Sequence, residues 1–390
     1  MRSELRSVEG FILGADGFLS GRMVADGQGR VGLIEGQAVT EAAVRTGAAP
    51  IVLPGFIDLH VHGGGGFDVM QGASAALEMA RLHVRHGTTA LLATTMTAPT
   101  QDIDTAFDGL SPLFRGGPLP DGVARVLGVH LEGPYISAER LGAQPDFVQT
   151  VALDQIRRWH AIAPIRLLTL APENAHNLAL IPDLVALGIR VQLGHTSGSY
   201  EQGCAALGLG ASGFTHLFNA MSALQHRNPG MVGVALAHAE YAEIIPDLLH
   251  VHAGAIRSAL RAIPKLYCVT DATSATAMPD GDYQLGRHTV HKCLGGVRLA
   301  DGTLAGSVLT MDQALRNLVQ TLGLSLADAS RRVSTFAADH LRLPERGRLT
   351  PGSWADWVEL DADLQVQRVV VEGRLAYRAD AVAAHGDKNA

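Results

Sequence analysis

Short apolar runs rich in Val, Ile, Leu and Thr recur through the first two thirds of the chain, near 56–62, 88–95, 126–132, 166–171, 189–194, 212–216, 243–247 and 266–270. Each has the length of a strand buried on both faces, with turn-forming residues at many of their boundaries. Between most of them the apolar positions switch to a spacing of three and four, at 73–86, 151–163, 174–187, 199–208 and 252–263, which predicts amphipathic helices. Eight strands alternating with helices are what an α/β fold of the (β/α)8 TIM-type barrel class requires. An open doubly wound sheet fits less well, since no Walker loop and no Gly-x-Gly-x-x-Gly opens a helix.

The ends of the chain are patterned differently. Residues 1–50 are rich in Gly, Val and turn formers, and 346–378 read as short strands, among them Ala355-Asp-Trp-Val-Glu-Leu360 and Arg368-Val-Val-Val-Glu-Gly-Arg-Leu-Ala-Tyr377. The expected organisation is a small β-sandwich domain built from 1–50 and 346–390, flanking a barrel at 51–345. Residues 281–304 read as a hairpin excursion after the eighth strand, and Ala379–Ala390 as a poorly ordered tail.

Composition narrows the classes. The chain has 390 residues, 47% of them hydrophobic, enough for a full barrel and a small accessory domain. A formal charge of −7 with interspersed signs offers no basic patch for nucleic acid. No stretch approaches the ~20 apolar residues that cross a bilayer, and Met1-Arg-Ser-Glu-Leu-Arg6 lacks the apolar region of a signal peptide, so a cytoplasmic protein without membrane partners is expected. Cys204, Cys268 and Cys293 are odd in number and far apart, which argues against a disulfide framework or a Cys-rich zinc site.

Candidate chemistry sits where the apolar runs end. His60 and His62 close the first run, Glu132 closes the third, and His195, His216 and Asp271 follow the fifth, sixth and eighth. Residues i and i+2 of a strand share a face, so His60 and His62 aim into one pocket. Ligands recurring at strand ends assemble into one site at the carboxyl end of a parallel barrel, which points to a metal-dependent hydrolase. Imidazole and carboxylate donors suit one or two divalent ions, zinc first, with iron, cobalt or manganese as alternatives. The lysines are Lys265, Lys292 and Lys388, none at the end of strands two to six, so a carbamylated-lysine bridge is disfavoured and Glu132 becomes the natural bridging group. Asp271, on the last strand beside the first, is the candidate general base and then general acid.

In order and wording these segments resemble the N-acetylglucosamine-6-phosphate deacetylases of the amidohydrolase superfamily. The similarity runs through Pro54-Gly-Phe-Ile-Asp-Leu-His-Val-His-Gly63, His130-Leu-Glu-Gly-Pro134, Leu193-Gly-His-Thr196, Thr215-His-Leu-Phe-Asn-Ala-Met-Ser222, Val269-Thr-Asp-Ala272 and Leu304-Ala-Gly-Ser307. The resemblance implies hydrolysis of an N-acetylated amino-sugar 6-phosphate to acetate and the free amino sugar phosphate. It implies that Glu132, His195 and His216 hold the principal ion, that His60 and His62 help hold a second, and that Asp271 is the acid/base. It further implies sugar-phosphate contacts from Asn219 and Ala220, with Arg227 and His250 supplying positive or hydrogen-bonding groups across a homodimer interface, and a sugar site lined by Leu304, Ala305 and Gly306.

Two positions depart from the family pattern. Gln144, after Ala143 in Leu141-Gly-Ala-Gln-Pro145, stands where the family usually has His. Gln donates a neutral hydrogen bond and never becomes cationic, so carbonyl polarisation or substrate choice is expected to differ. In Asp247-Leu-Leu-His250, Leu248 stands where the family has Gly. Deacetylation of a related N-acyl substrate (N-acetylgalactosamine 6-phosphate, an unphosphorylated amino sugar, an N-acylamino acid) is the alternative, and a silent scaffold a more distant one.

Overall fold

The computed structural model describes residues 7–117 and 120–379. Of the tail from Ala379, only Ala379 is described, its N–H bonded to the Gln367 carbonyl at 2.8 Å. The rest of that tail and the opening Met1–Arg6 lie outside the described residues.

Eight parallel strands form the central barrel: Phe56–Val61, Thr88–Thr95, Arg125–Glu132, Ile165–Leu170, Arg190–Leu193, Gly213–Phe214, Tyr241–Ile244 and Lys265–Cys268. The first six pair in sequence as one curled sheet, and the last two pair with each other. The seventh begins two residues earlier than its apolar run and stops before Pro246, which has no N–H to offer a ladder. Closure comes from both sides: Leu217 N donates to the Glu243 carbonyl at 2.9 Å, and Asp271 N to the His60 carbonyl at 2.9 Å. Buried Asp58 reinforces the seam, accepting from Thr270 Oγ1 at 2.6 Å and from the N–H groups of Thr270 and His60, both at 3.2 Å. Burial pushes its carboxyl up to about 7 despite these bonds.

The helices bury the faces their spacing marked. Ala73–Val84 turns Ala75, Ala76, Met79, Ala80, His83 and Val84 inward, and Leu153–Ile162 turns in Ile156 and Trp159. Trp159 stacks on Phe107 at 5.4 Å between ring centroids, and each such ring is worth about 1.5–3 kcal/mol of burial. Tyr200–Gly208 starts from a capping box in which Ser199 Oγ accepts from Gln202 N and the Gln202 side chain accepts from Ser199 N. The stretch 174–187 is broken into Ala175–Ala179 and Ile181–Ala186, with Pro182 in the first turn of the second. Helix Gly230–His238 carries no amphipathic signal because it is buried almost all round.

A second, seven-stranded sheet joins the chain ends, in the order Arg374–Arg378, Val366–Val371, Trp357–Leu360, Ile51–Pro54, Ser7–Gly14, Gly17–Ala25 and Val31–Ala38. It covers a small core of its own around Ile12, Met23, Val52, Trp357 and Val370. Ile51–Pro54 pairs with strands from both ends of the chain and leads, after Gly55, into the first barrel strand. Residues 281–298 form a three-stranded antiparallel excursion that packs beside the barrel mouth. Among the described residues, no helix is long and apolar enough to cross a membrane.

Candidate metal centre and substrate cavity

At the carboxyl ends of the strands, three of the expected ligands leave the ladder with left-handed backbone: His195 at φ 46°, His216 at φ 29° and Asp271 at φ 52°. L-residues avoid this region, and holding them there costs about 1–3 kcal/mol each, supplied by the surrounding packing. Each turn swings its side chain over the barrel axis.

Two donor groups result. Glu132 Oε1 lies 3.1 Å from His195 Nε2 and 3.0 Å from His216 Nε2, and the two ring nitrogens are 3.0 Å apart. Glu132 Oε2 lies 3.3 Å from His60 Nε2 and 3.0 Å from His62 Nε2, while Asp271 Oδ1 stands 3.4 Å and 3.3 Å from the same nitrogens. Glu132 therefore contributes one oxygen to each group.

The proton positions test whether cations belong here. His62 Nδ1 faces the Thr94 carbonyl at 3.1 Å, His195 Nδ1 the Arg140 carbonyl at 2.8 Å, and His60 Nδ1 the Glu243 carboxylate at 3.1 Å. Those partners only accept, so each neutral ring carries its hydrogen outward and turns a bare Nε2 lone pair inward. Lone pairs and carboxylate oxygens converging at these distances repel unless positive charge lies between them. Ligands around a tetrahedral ion at ~2.1 Å stand roughly 3.4 Å apart, close to what is seen. Electrostatics agree: burial alone depresses a histidine, yet Glu132 and Asp271 outweigh it and hold His60 well above its ordinary value and His62 at about 9. Burial alone raises a carboxyl, yet the surrounding imidazoles hold Glu132 well below the usual range. The donor set fits a divalent metal.

A cavity of about 320 Å³ opens over these groups. Ala143, Gln144, Asn219, Ala220, His250, Leu304 and Gly306 line it together with His62, Glu132, His195, His216 and Asp271. His60 is fully buried behind the wall. Ala305 is buried too, packed in the small core with Met96 and Leu285 instead of facing the cavity. Arg227 is exposed on the loop after Ala223 and is not part of this wall. Gly306 has to be glycine: at φ 59°, a Cβ there would meet Thr273 Cγ2 at 2.5 Å and the Asp271 carbonyl at 2.8 Å.

Gln144 is held at both ends of its amide. Its Nε2 donates to Glu132 Oε2 at 2.7 Å and its Oε1 accepts from Thr97 N at 2.7 Å, so it steadies the shared carboxylate. Leu248 keeps a glycine-like φ of 67°, so the turn into His250 survives the loss of the glycine. Asp247 caps that turn, accepting from Leu249 N at 2.9 Å, His250 N at 2.8 Å and His250 Nδ1 at 2.7 Å. Burial opposes a charged ring at His250, but Asp247 outweighs it and raises its pKa.

Sequence reasoning missed Glu243, although a lone carboxylate inside the apolar run Tyr241-Ala-Glu-Ile-Ile245 was a legible signal. It also missed Arg140 and Met96 in the cavity wall, which carry no distinguishing local pattern.

A closed parallel barrel with two cation-seeking groups sharing a carboxylate at its carboxyl end defines a metal-dependent hydrolase. The sequence profile of the amidohydrolase family matches residues 51–376, and the chain belongs to that family. Among its relatives are an N-acetylglucosamine-6-phosphate deacetylase of Lysinibacillus sphaericus, 40% identical over 84% of this chain and 86% of that one, and an N-acetylgalactosamine-6-phosphate deacetylase of Escherichia coli O157:H7, 36% identical over 94% and 97%. An Asp-to-Ala mutant of N-acetyl-D-glucosamine-6-phosphate deacetylase from Mycobacterium smegmatis, solved in complex with N-acetyl-D-glucosamine 6-phosphate, superposes with a TM-score of 0.84 at 32% identity, covering 94% of this chain and 98% of that one.

Proposed function

We propose that this protein hydrolyses the N-acetyl amide of N-acetylglucosamine 6-phosphate, releasing acetate and glucosamine 6-phosphate. The observation that carries the reading is Asp271, whose carboxylate lies against His60 and His62 while lining the cavity of a chain with deacetylase relatives. Divalent ions, zinc foremost, held by Glu132, His195 and His216 and by His60, His62, Glu132 and Asp271, would supply Lewis acidity to the amide carbonyl and to water. Asp271 takes the proton from the attacking water and returns it to the departing amine. Gln144 keeps Glu132 in place during this exchange. Asn219, Ala220, Ala143, Leu304 and Gly306 shape the sugar site, with Ala305 packed behind them, and His250 offers a positively biased imidazole to the phosphate.

Arg227 enters this reading through a homodimer, reaching a neighbouring chain's cavity. Its exposure and the lack of a carboxylate partner among the described residues support that role. The terminal sheet is proposed as a domain separate from the barrel, with the boundary expected between residues 50 and 51 moved to Gly55, because Ile51–Pro54 pairs within that sheet.

The Escherichia coli relative favours one second reading, N-acetylgalactosamine 6-phosphate as substrate. Acetate release by zinc-loaded protein from N-acetylglucosamine 6-phosphate, N-acetylgalactosamine 6-phosphate and unphosphorylated N-acetylglucosamine tests all three points. A higher kcat/KM on the first supports the proposal. Preference for the galactosamine ester transfers it to the second reading, and equal turnover of the unphosphorylated sugar removes the phosphate site.

A further inference from the structure

We propose that Glu243 is a positioning residue that fixes the His60 ring as a ligand and so creates the cation position at His60, His62 and Asp271. The inference rests on the two-cation reading above.

Glu243 is fully buried on the seventh strand, separated from the first strand and its His60 by the eighth strand alone. Its Oε2 meets His60 Nδ1 at 3.1 Å and His216 N at 3.2 Å, and its Oε1 accepts from Tyr267 OH at 3.3 Å. A neutral imidazole has one N–H, and its two tautomers differ little in energy until a partner chooses between them. Glu243 draws that hydrogen to Nδ1, which leaves the Nε2 lone pair facing Glu132 and Asp271. Without Glu243 the ring is free to place its hydrogen on Nε2 and donate it to Glu132 Oε2, 3.3 Å away, which blocks the nitrogen as a ligand.

His60 is unusual among the candidate ligands in this respect. His62 and His195 are oriented by main-chain carbonyls, which no substitution removes, and His216 Nδ1 is buried with no partner. Only at His60 does a side chain make the choice. The same Glu243 oxygen also accepts the His216 N–H at 3.2 Å, but the main chain around His216 is held independently, by Thr215 N to the Leu193 carbonyl at 3.0 Å, Leu217 N to the Glu243 carbonyl at 2.9 Å and Asn219 N to the His216 carbonyl at 3.0 Å, so His216 keeps its place without the Glu243 side chain.

Glu243 also belongs to a second acidic and imidazole cluster, with His60 and His130, compact enough to suggest a third ion. The hydrogen bonds argue against it. His130 Nδ1 donates to the Leu59 carbonyl at 3.2 Å, and its Nε2 is taken up by Thr169 Oγ1 at 2.8 Å. His130 therefore has no lone pair to spare, and Glu243 acts through His60.

The test compares Co2+ binding by chelator-stripped wild type, Glu243→Leu, Glu243→Asp and Glu243→Gln, by visible absorbance and by metal content after gel filtration. Wild type is expected to take two ions per chain. Glu243→Leu keeps one at near wild-type affinity and binds the other ~10- to 100-fold more weakly. Glu243→Asp, anionic but too short to reach Nδ1, shows the same selective loss and stands in if the leucine variant does not fold. Glu243→Gln restores both ions to within a few-fold, because its amide oxygen accepts the same two N–H groups. Two ions at wild-type affinity in the leucine or aspartate variant, equal loss of both, or a glutamine variant as impaired as leucine would each overturn the assignment. A single ion in the wild type overturns the two-cation reading before any variant is measured, and the assignment with it.

Discussion

Gln144→Glu keeps the side chain's size and shape and reverses one hydrogen-bonding atom. In the wild type the amide nitrogen stands 2.7 Å from Glu132 Oε2 and donates to it. In the variant two carboxylate oxygens face each other across that gap. At an effective dielectric of about 20, two unit charges this close repel by roughly 6 kcal/mol. Protonation limits the damage: keeping the new carboxyl neutral at pH 7, against an ordinary pKa of about 4.3, costs about 3.7 kcal/mol, and its O–H then donates to Glu132. The variant should therefore be less stable than wild type by about 4 kcal/mol at pH 7. Its pKa is raised by folding, so the native state holds a proton that the unfolded chain releases. Stability relative to wild type is then intact below about pH 4.3 and falls by about 1.4 kcal/mol per unit as pH rises toward the raised pKa. Urea denaturation of chelator-treated wild type and variant between about pH 5.5 and 8 reads the difference directly. A deficit that does not change with pH, or one below about 1 kcal/mol at pH 7, refutes the clamp between Thr97 and Glu132.

Asp271→Asn should lower kcat for acetate release by about 10²- to 10⁴-fold while metal content by elemental analysis stays within a factor of two; near-normal turnover removes Asp271 from proton transfer. His83 is fully buried, and burial depresses it to about 4 despite the bond from Nε2 to the Gly63 carbonyl at 3.0 Å. The unfolded chain takes up the proton first, so this ring's contribution is complete above about pH 6.5 and up to roughly 3 kcal/mol is lost as pH falls to 4. His83→Gln, which keeps a donor, should flatten that acid limb in denaturation curves. Leu248→Gly should relieve about 1 kcal/mol of left-handed strain, partly offset by lost packing, and leave KM for the phosphorylated sugar within two-fold; a several-fold rise in KM would show that the leucine side chain itself shapes the site.

The proposed donors and their places at strand ends were written locally, because strand period and a polar residue closing an apolar run are properties of a few neighbouring positions. His60, His62, Glu132, His195, His216 and Asp271 could all be marked that way, as could the alternation that defines the barrel. The terminal strands were legible for the same reason, although the role of Ile51–Pro54 as the strand linking both chain ends was not. Helix Gly230–His238 escaped detection because total burial erases the periodicity that reveals a helix. Tertiary structure alone decided that Glu132 divides its oxygens between two groups, that Gln144 grips that carboxylate, that Ala305 turns away from the cavity and that Arg227 stays outside it. It alone brought Glu243 to His60, 183 residues away along the chain. Such contacts depend on barrel closure, which sets ångström distances between side chains on non-adjacent strands, and no local pattern of hydrophobic and polar residues encodes them.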